Sequence, residues 1–422
     1  MKTKAASISI SVVLFLVLIG LNHSSHARLV CDIEQLTFDQ EQESDNNAIS
    51  ADGTIIAFQS RSDITGENPE NNDEMFYYDI LEGTFNQISS TTTGTNRTPS
   101  LSPNGELITY DYSSSGEAQV FLFNRTTGIN TLVAGEPEKN EDPFIDTLGN
   151  IITFSSDADI GGGNPGGNEQ VFQYNINTGV TTQRTDITVN FIQTTPTNFD
   201  GSLVIFSAFG NILGTNPDGN SEIYLIEPDD SLKQLTFGQS GVDSRAEKFG
   251  VDSTANLITF LARGDPAGGT GPMGNDQVYF YNLDQDVFTK LTNQPASNND
   301  PAINADGTCI VFSSTQDLTG QNPLNNWQVF IYDLASETFT QVGINLSDGR
   351  IITPTPSADC TEIAFSGQPN FESNEAMDEE QVFLARCDVA QVPTISEWGL
   401  IALAVVIGTA GFIVLRRRQV SA

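Results

Sequence analysis

Beyond its first 27 residues this chain has no histidine; His23 and His26 are the only two among 422 residues. That absence removes Ser-His-Asp and Cys-His catalysis and every histidine-ligated metal from the rest of the chain. Basic residues are also scarce, 18 Lys and Arg against 54 Asp and Glu, for a net charge of -36. Residues 28–391 hold 13 of the 18 basic and 53 of the 54 acidic residues, a formal charge of −40 spread along the segment rather than gathered in a tail. Such a surface repels phosphate backbones, which excludes nucleic acid as a partner and favours solubility and nearby cations. Helical periodicity is missing too: between the two ends no stretch keeps it over three turns. What is abundant instead is Gly (36), Phe (26), Asn, Thr and Ser, the material of many short strands joined by tight turns.

The only long apolar runs lie at the ends. Lys2 and Lys4 precede the run Ile8 to Leu21, then Ser25-His26-Ala27, the three parts of a secretory signal peptide with cleavage expected after Ala27. Residues 1–27 are therefore expected to be removed, leaving 28–391 as the folded body and 392–422 as a C-terminal address. That address reads Val392-Pro393-Thr394-Ile395-Ser396-Glu397-Trp398-Gly399, an apolar run Leu400 to Leu415, and Arg416-Arg417-Arg418. A run of this length spans a bilayer narrowly, with the arginines held on the cytoplasmic side. The three-part end resembles the IPTL-CTERM (IPTLxxWG) sorting domain, with Val for Ile at the first position and Ile for Leu at the fourth. The resemblance implies an exosortase-type processing enzyme as partner, transient anchoring in the inner membrane, and display in the envelope of a Gram-negative bacterium. The alternative is a plain membrane anchor.

Between the ends one pattern recurs seven times. Its first turns are Ala51-Asp52-Gly53, Pro103-Asn104-Gly105, Thr147-Leu148-Gly149, Phe199-Asp200-Gly201, Ser253-Thr254-Ala255, Ala305-Asp306-Gly307 and Ala358-Asp359-Cys360. Asp-Gly and Asn-Gly between apolar runs signal hairpins. An aromatic follows each turn: Phe58, Tyr110, Phe154, Phe206, Phe260, Phe312 and Phe365, at spacings of 52, 44, 52, 54, 52 and 53. A second set keeps step: Phe76, Phe121, Phe172, Tyr224, Tyr279, Phe330 and Phe383. Four strands per unit of about fifty residues is a propeller blade. The fold expected is an all-β, seven-bladed propeller. The repeats resemble the PD40 (WD40-like, TolB-like) family at Ser102-Pro103-Asn104-Gly105 and the apolar strand after it, over residues 33–387. That resemblance is informative about fold and says little about function. The family's polysaccharide lyases hold metal through histidines, which this body lacks.

The seventh unit lacks a fourth strand, while an orphan, Ile33 to Phe38, precedes the first and matches Leu232 to Phe237. The simplest closure puts the N-terminal strand into the last blade. Cys31 and Cys387 then flank paired strands and are expected to form a disulfide that locks the ring. Cys309 and Cys360, at neighbouring turn positions of blades six and seven, are candidates for a second.

Four units share an insertion between second and third strands: Asp63 to Asn72, Asp159 to Asn168, Asn211 to Asn220 and Asp317 to Asn326, with a variant at Asp265 to Asn275. Blade two lacks it, hence the spacing of 44. These loops crowd one rim, the usual place for binding. Asp63, Asn68, Asn72, Asp159, Asn164, Asn168, Asn216, Asn220, Asp317 and Asn322 are the candidate ligands there. Each is also an ordinary turn former. Oxygen donors of this kind suit calcium, although the regular calcium-loop spacing is missing; no other cofactor is expected. Three functions stay open: a non-catalytic surface propeller binding a protein or polysaccharide, a TolB-like periplasmic adaptor, and a carboxylate-based hydrolase or lyase.

Overall fold

The computed structural model describes residues 29–389, except 40, 136, 189–191, 198–199, 239–243, 246–249, 255, 270–273, 294, 344–348 and 369–378. The signal-peptide residues and the sorting residues Val392, Pro393, Thr394, Ile395, Trp398 and Gly399 lie outside the described set. Among the described residues no helix is long and apolar enough to cross a membrane. Residues 31–387 form one compact unit; of the unit made by the two chain ends, only strand residues 29–30 and 388–389 are described.

Strand β1 (Leu29–Gln35) comes first. Blade one is β2 (Ser44–Ile49), β3 (Ile55–Ser60), β4 (Glu74–Asp79) and β5 (Thr84–Gln87). Blade two is β6 (Thr95–Leu101), β7 (Leu107–Ser114), β8 (Glu117–Asn124) and β9 (Ile129–Ala134). Blade three is β10 (Asn140–Ile145), β11 (Ile151–Ser156), β12 (Gln170–Asn175) and β13 (Val180–Gln183). Blade four is β14 (Ile192–Thr197), β15 (Val204–Phe209), β16 (Ser221–Ile226) and β17 (Leu232–Gln234). Blade five is β18 (Ser244–Arg245), β19 (Leu257–Ala262), β20 (Gln277–Asn282) and β21 (Val287–Lys290). Blade six is β22 (Asn298–Ile303), β23 (Cys309–Ser314), β24 (Gln328–Asp333) and β25 (Thr338–Val342). Blade seven is β26 (Ile351–Pro356), β27 (Glu362–Gly367), β28 (Gln381–Val389) and, as its fourth strand, β1.

The aromatic repeat is the core. Each second-strand ring lies directly opposite its third-strand partner in the ladder, as Phe58 does Phe76 and Phe365 does Phe383. All seven pairs stack, with centroids 5.2 to 5.9 Å apart. Residues with opposite parity on the same strands, such as Ala57 and Met75, pack in the next seam against Ile108 and Tyr110 of the neighbouring blade. A blade therefore buries both faces only when it has two neighbours.

Closure is read from β1 residue by residue. Its contacts run in opposite sense along β28: Cys31 with Cys387, Glu34 with Arg386, and the Leu36 amide on the Val382 carbonyl at 2.8 Å. Thr37 then accepts the Val382 amide on its hydroxyl, as Ser89, Thr185, Thr236 and Thr292 accept the equivalent amides of blades one, three, four and five. The sequence places this strand at Ile33 to Phe38, but the ladder covers Leu29–Gln35. A side-chain hydroxyl replaces the backbone acceptor at Thr37, so the strand ends before it.

The Cys31–Cys387 bond has its Cα atoms 4.0 Å apart, and Cys309–Cys360 joins blades six and seven with Cα atoms 6.6 Å apart. Cys309 opens β23 rather than sitting in the turn. Cys360 holds a left-handed φ of 62°, at the position where Gly307 has 65° in blade six. A side chain there costs backbone strain that glycine avoids.

Candidate binding face

Strands alternate in direction, so the second-to-third loops and the blade-to-blade loops emerge on one face. The insertions share one internal design. In blade one, Asp63 Oδ1 accepts the Asn68 amide at 2.8 Å, and the Asn68 side-chain amide donates to the Arg61 and Asn72 carbonyls. Asp159 and Asn164 repeat this, with Asn164 donating to Asn168 O at 2.7 Å. So do Asn211 with Asn216, whose amide reaches Asn220 O, and Asp317 with Asn322, whose amide reaches Asn326 O. The four central asparagines are buried, at 1 to 4% exposure. A threonine in three insertions also hydrogen-bonds to a fourth-strand glutamine: Thr65 with Gln87, Thr215 with Gln234, Thr319 with Gln341.

Each central asparagine thus ties its own insertion together, and Asn72 and Asn220 anchor two of them to the third strand through Glu74 and Glu222. The buried asparagines singled out by their repetition stiffen the loops, while Asp63, Asp159, Asn211 and Asp317, each accepting an amide on Oδ1, stay exposed together with the variable positions between them. Asn164→Ala should leave the Asp157, Ala158 and Asn168 carbonyls without this donor and cost about 1–3 kcal/mol. Thermal melting with far-UV dichroism checks it; a change below about 0.5 kcal/mol would remove the asparagine from this role.

A second repeated position escaped the sequence reading. The residue before each third-strand apolar-aromatic pair is Glu74, Gln119, Gln170, Glu222, Gln277, Gln328 or Gln381. Gln170 Oε1 accepts from Thr185 Oγ1 at 2.8 Å and from the Ile187 amide, tying the blade-to-blade loop to the sheet. Gln381 donates to the Asp39 and Gln42 carbonyls in the same way. Glu222 accepts from Thr236 and Asn220, and burial pushes its carboxyl up to about 7. Glu169 is also pushed up to about 7 by burial, beside Glu141 and Asp142.

The innermost strands carry a third device. β2, β6, β10, β22 and β26 each have a bulge, at which Asn46, Thr98, Asp142, Asp300 and Thr353 take left-handed φ values of 46 to 51°. The bulges link neighbours around the axis. Asp300 Oδ2 accepts the Thr353 amide at 2.9 Å, and Thr353 Oγ1 donates to Asn47 Oδ1 at 2.9 Å, crossing blades six, seven and one. Asp111, buried and raised above the usual carboxylate range by that burial, accepts from Arg97, Thr98 and the Asp142 amide between blades two and three. Arg97 reaches on to Glu141 at 3.0 Å. Below the bulges, side chains from six blades, among them Ile49, Leu101, Val251, Ile303 and Pro356, line one apolar cavity on the axis. The axis is therefore acidic toward the insertion face and apolar toward the opposite turns.

Among the described residues, one group of three possible metal-ligand side chains meets: Glu43, Asp45 and Glu380, on the insertion face beside the closing seam. None of the repeated insertion residues belongs to it.

The chain ends separately from this body in a sequence of its own kind. Residues 390–419 match the IPTL-CTERM motif. This chain carries an IPTL-CTERM sorting signal. The IPTL-CTERM motif implies an exported, cell-surface protein and processing by an exosortase-type enzyme. For the body, the matches are to solved propellers. An oligogalacturonate lyase in complex with manganese aligns at 13% identity and TM-score 0.60, over 86% of this chain and 97% of that one. An acylaminoacyl peptidase of Pyrococcus horikoshii aligns at 11% and 0.54, over 81% of this chain but only 51% of the peptidase. TolB from Acinetobacter baumannii aligns at 16% and 0.46, over 69% and 64%. Identities this low describe a shared propeller fold. No curated protein sequence matches the chain.

Proposed function

We propose that this protein is a non-catalytic propeller displayed on the surface of a Gram-negative cell, with the insertion face as its binding surface. The reading rests chiefly on the insertions themselves. Four loops of one design stand on one face, each fixed by a buried asparagine and together ringed by acid. Rigid loops on a rigid scaffold lower the ordering cost of binding a large partner. An acidic face with few free cations suits a cationic protein segment or a polysaccharide bridged through metal ions. Transient inner-membrane anchoring through Leu400 to Leu415 precedes release or transfer to the surface.

The test uses the protein as its host exports it, immobilised and exposed to envelope extract and to a polysaccharide panel that includes oligogalacturonate. Retention of a defined glycan or envelope protein, lost when Leu324 of blade six (76% exposed) is changed to Asp, supports the binding face. Turnover of any labelled polysaccharide would overturn the non-catalytic reading in favour of a carboxylate-based lyase or hydrolase. Retention that survives face variants in several insertions would place the binding surface elsewhere.

A further inference from the structure

We propose that Glu43, Asp45 and Glu380 hold a divalent cation of the calcium type across the seam where blade seven meets blade one. Glu43 and Asp45 flank the start of β2, and Glu380 directly precedes β28, so the ends of the chain's ring supply the ligands. One carboxylate oxygen from each lies within 4.8 Å of the others. Two oxygens bound to one calcium at about 2.4 Å are at most about 4.8 Å apart, so the three carboxylates are close enough to share an ion.

Clustered acid alone would say little, and Glu380 supplies the second observation. It is only 8% exposed. Among the described residues no hydrogen-bond donor reaches its carboxylate. Arg350 acts on it only through space, while Glu43, Asp300 and Glu379 act against its charge. Glu380 is thus a buried carboxyl with no donor among the described residues to meet it. The Arg61 guanidinium sits 3.3 Å from Glu43 and turns its Nε to Asp73 at 2.8 Å. A buried charge left in that state is costly, and a bound cation removes the cost.

The site is also held in place before any ion arrives. The Ser44 amide donates to Glu380 O at 2.8 Å across the seam, and the Arg61 amide donates to Glu43 O at 3.0 Å within blade one. The ligand chemistry selects the ion. No imidazole is present beyond His26, and all four cysteines are in disulfides, so no nitrogen or sulfur ligand competes. An all-carboxylate set with water filling the remaining positions suits hard cations, calcium before the smaller magnesium.

The experiment is isothermal titration of calcium chloride into chelator-treated, host-exported protein, with melting curves at each concentration. The expected result is one site with Kd of roughly 10⁻⁴–10⁻³ M, the usual range of extracellular sites. Melting temperature should rise with calcium by ligand linkage. Glu380→Gln should weaken binding at least about tenfold yet melt no lower than wild type in chelator, since it removes the buried charge. Asp45→Asn gives an independent reading should Glu380→Gln fold poorly, and Asp63→Asn in an insertion should leave calcium binding unchanged. Absence of heat and of any melting shift at 10 mM calcium, about ten times the weakest expected Kd, overturns the site. So does an undiminished response in both Glu380→Gln and Asp45→Asn.

Discussion

Cys31→Ser should lower the denaturant midpoint more than a change at Cys309 or Cys360. The Cys31–Cys387 bond closes a loop with a sequence separation of 356, whereas Cys309–Cys360 closes one of 51. In the chain-entropy treatment these confer about 6 and about 4 kcal/mol respectively, by restricting the unfolded chain. The larger bond also holds β1 against β28, beside the exposed Arg386–Glu34 pair. Guanidinium unfolding of the single variants, with protease sensitivity of the N-terminal strand, measures both effects. Equal midpoints for Cys31→Ser and wild type would mean that blade seven stays closed without its clasp. The second bond has its own signature. Cys360→Gly should cost less than Cys309→Ser, by roughly 1 kcal/mol, because glycine relieves the left-handed backbone as the bond is lost.

The second large effect is of pH, and it runs opposite to ordinary acid denaturation. Burial raises Glu169 and Glu222 to about 7 and Glu380 to about 6. Their unfolded values are near 4.5, so between about pH 4.5 and 7 the folded chain binds protons that the unfolded chain does not. Stability from these groups is complete below the unfolded value and is lost as pH rises through the folded one. With chelator present, the protein should therefore melt at a higher temperature at pH 5 than at pH 8. Glu222 alone contributes roughly 3 kcal/mol across that window, at 1.36 kcal/mol per pKa unit. Glu222→Gln should remove its share of the slope and stabilise the protein at pH 8. Five other blades place a glutamine at the equivalent position, four of them buried, and Gln170 accepts there from Thr185 as Glu222 does from Thr236. A melting temperature that falls steadily from pH 8 to 5, in wild type and variant alike, would show these carboxyls to be solvated.

Blade number, the stacked aromatics and the closing strand were legible because each repeats a pattern that a single blade must satisfy. Turn glycines and buried rings recur for local reasons and survive in the sequence as spacing. The insertions were legible as repeats but not as to purpose. Asn68 and its counterparts are buried and bonded to carbonyls, and nothing in an Asn-Pro pair distinguishes that from an exposed ligand. The inner bulges left a fainter mark. Thr98, Asp142, Asp300 and Thr353 all precede proline, a recurrence visible in the chain once the left-handed backbone is known. Glu43 and Glu380 could not be paired by any local rule, since they meet only after the ring closes.

That the ring is completed by β1 also sets the order of assembly. The strand that leaves the ribosome and the export channel first is the last to reach its partner, which is among the final segments of the body to emerge. Until then the blade-seven edge at β28 is an open template, and β1 is a free, matching strand with a thiol near its start. Two chains exported side by side can therefore exchange first strands and be fastened to each other through Cys31 and the neighbour's Cys387, giving a domain-swapped dimer from an unchanged fold.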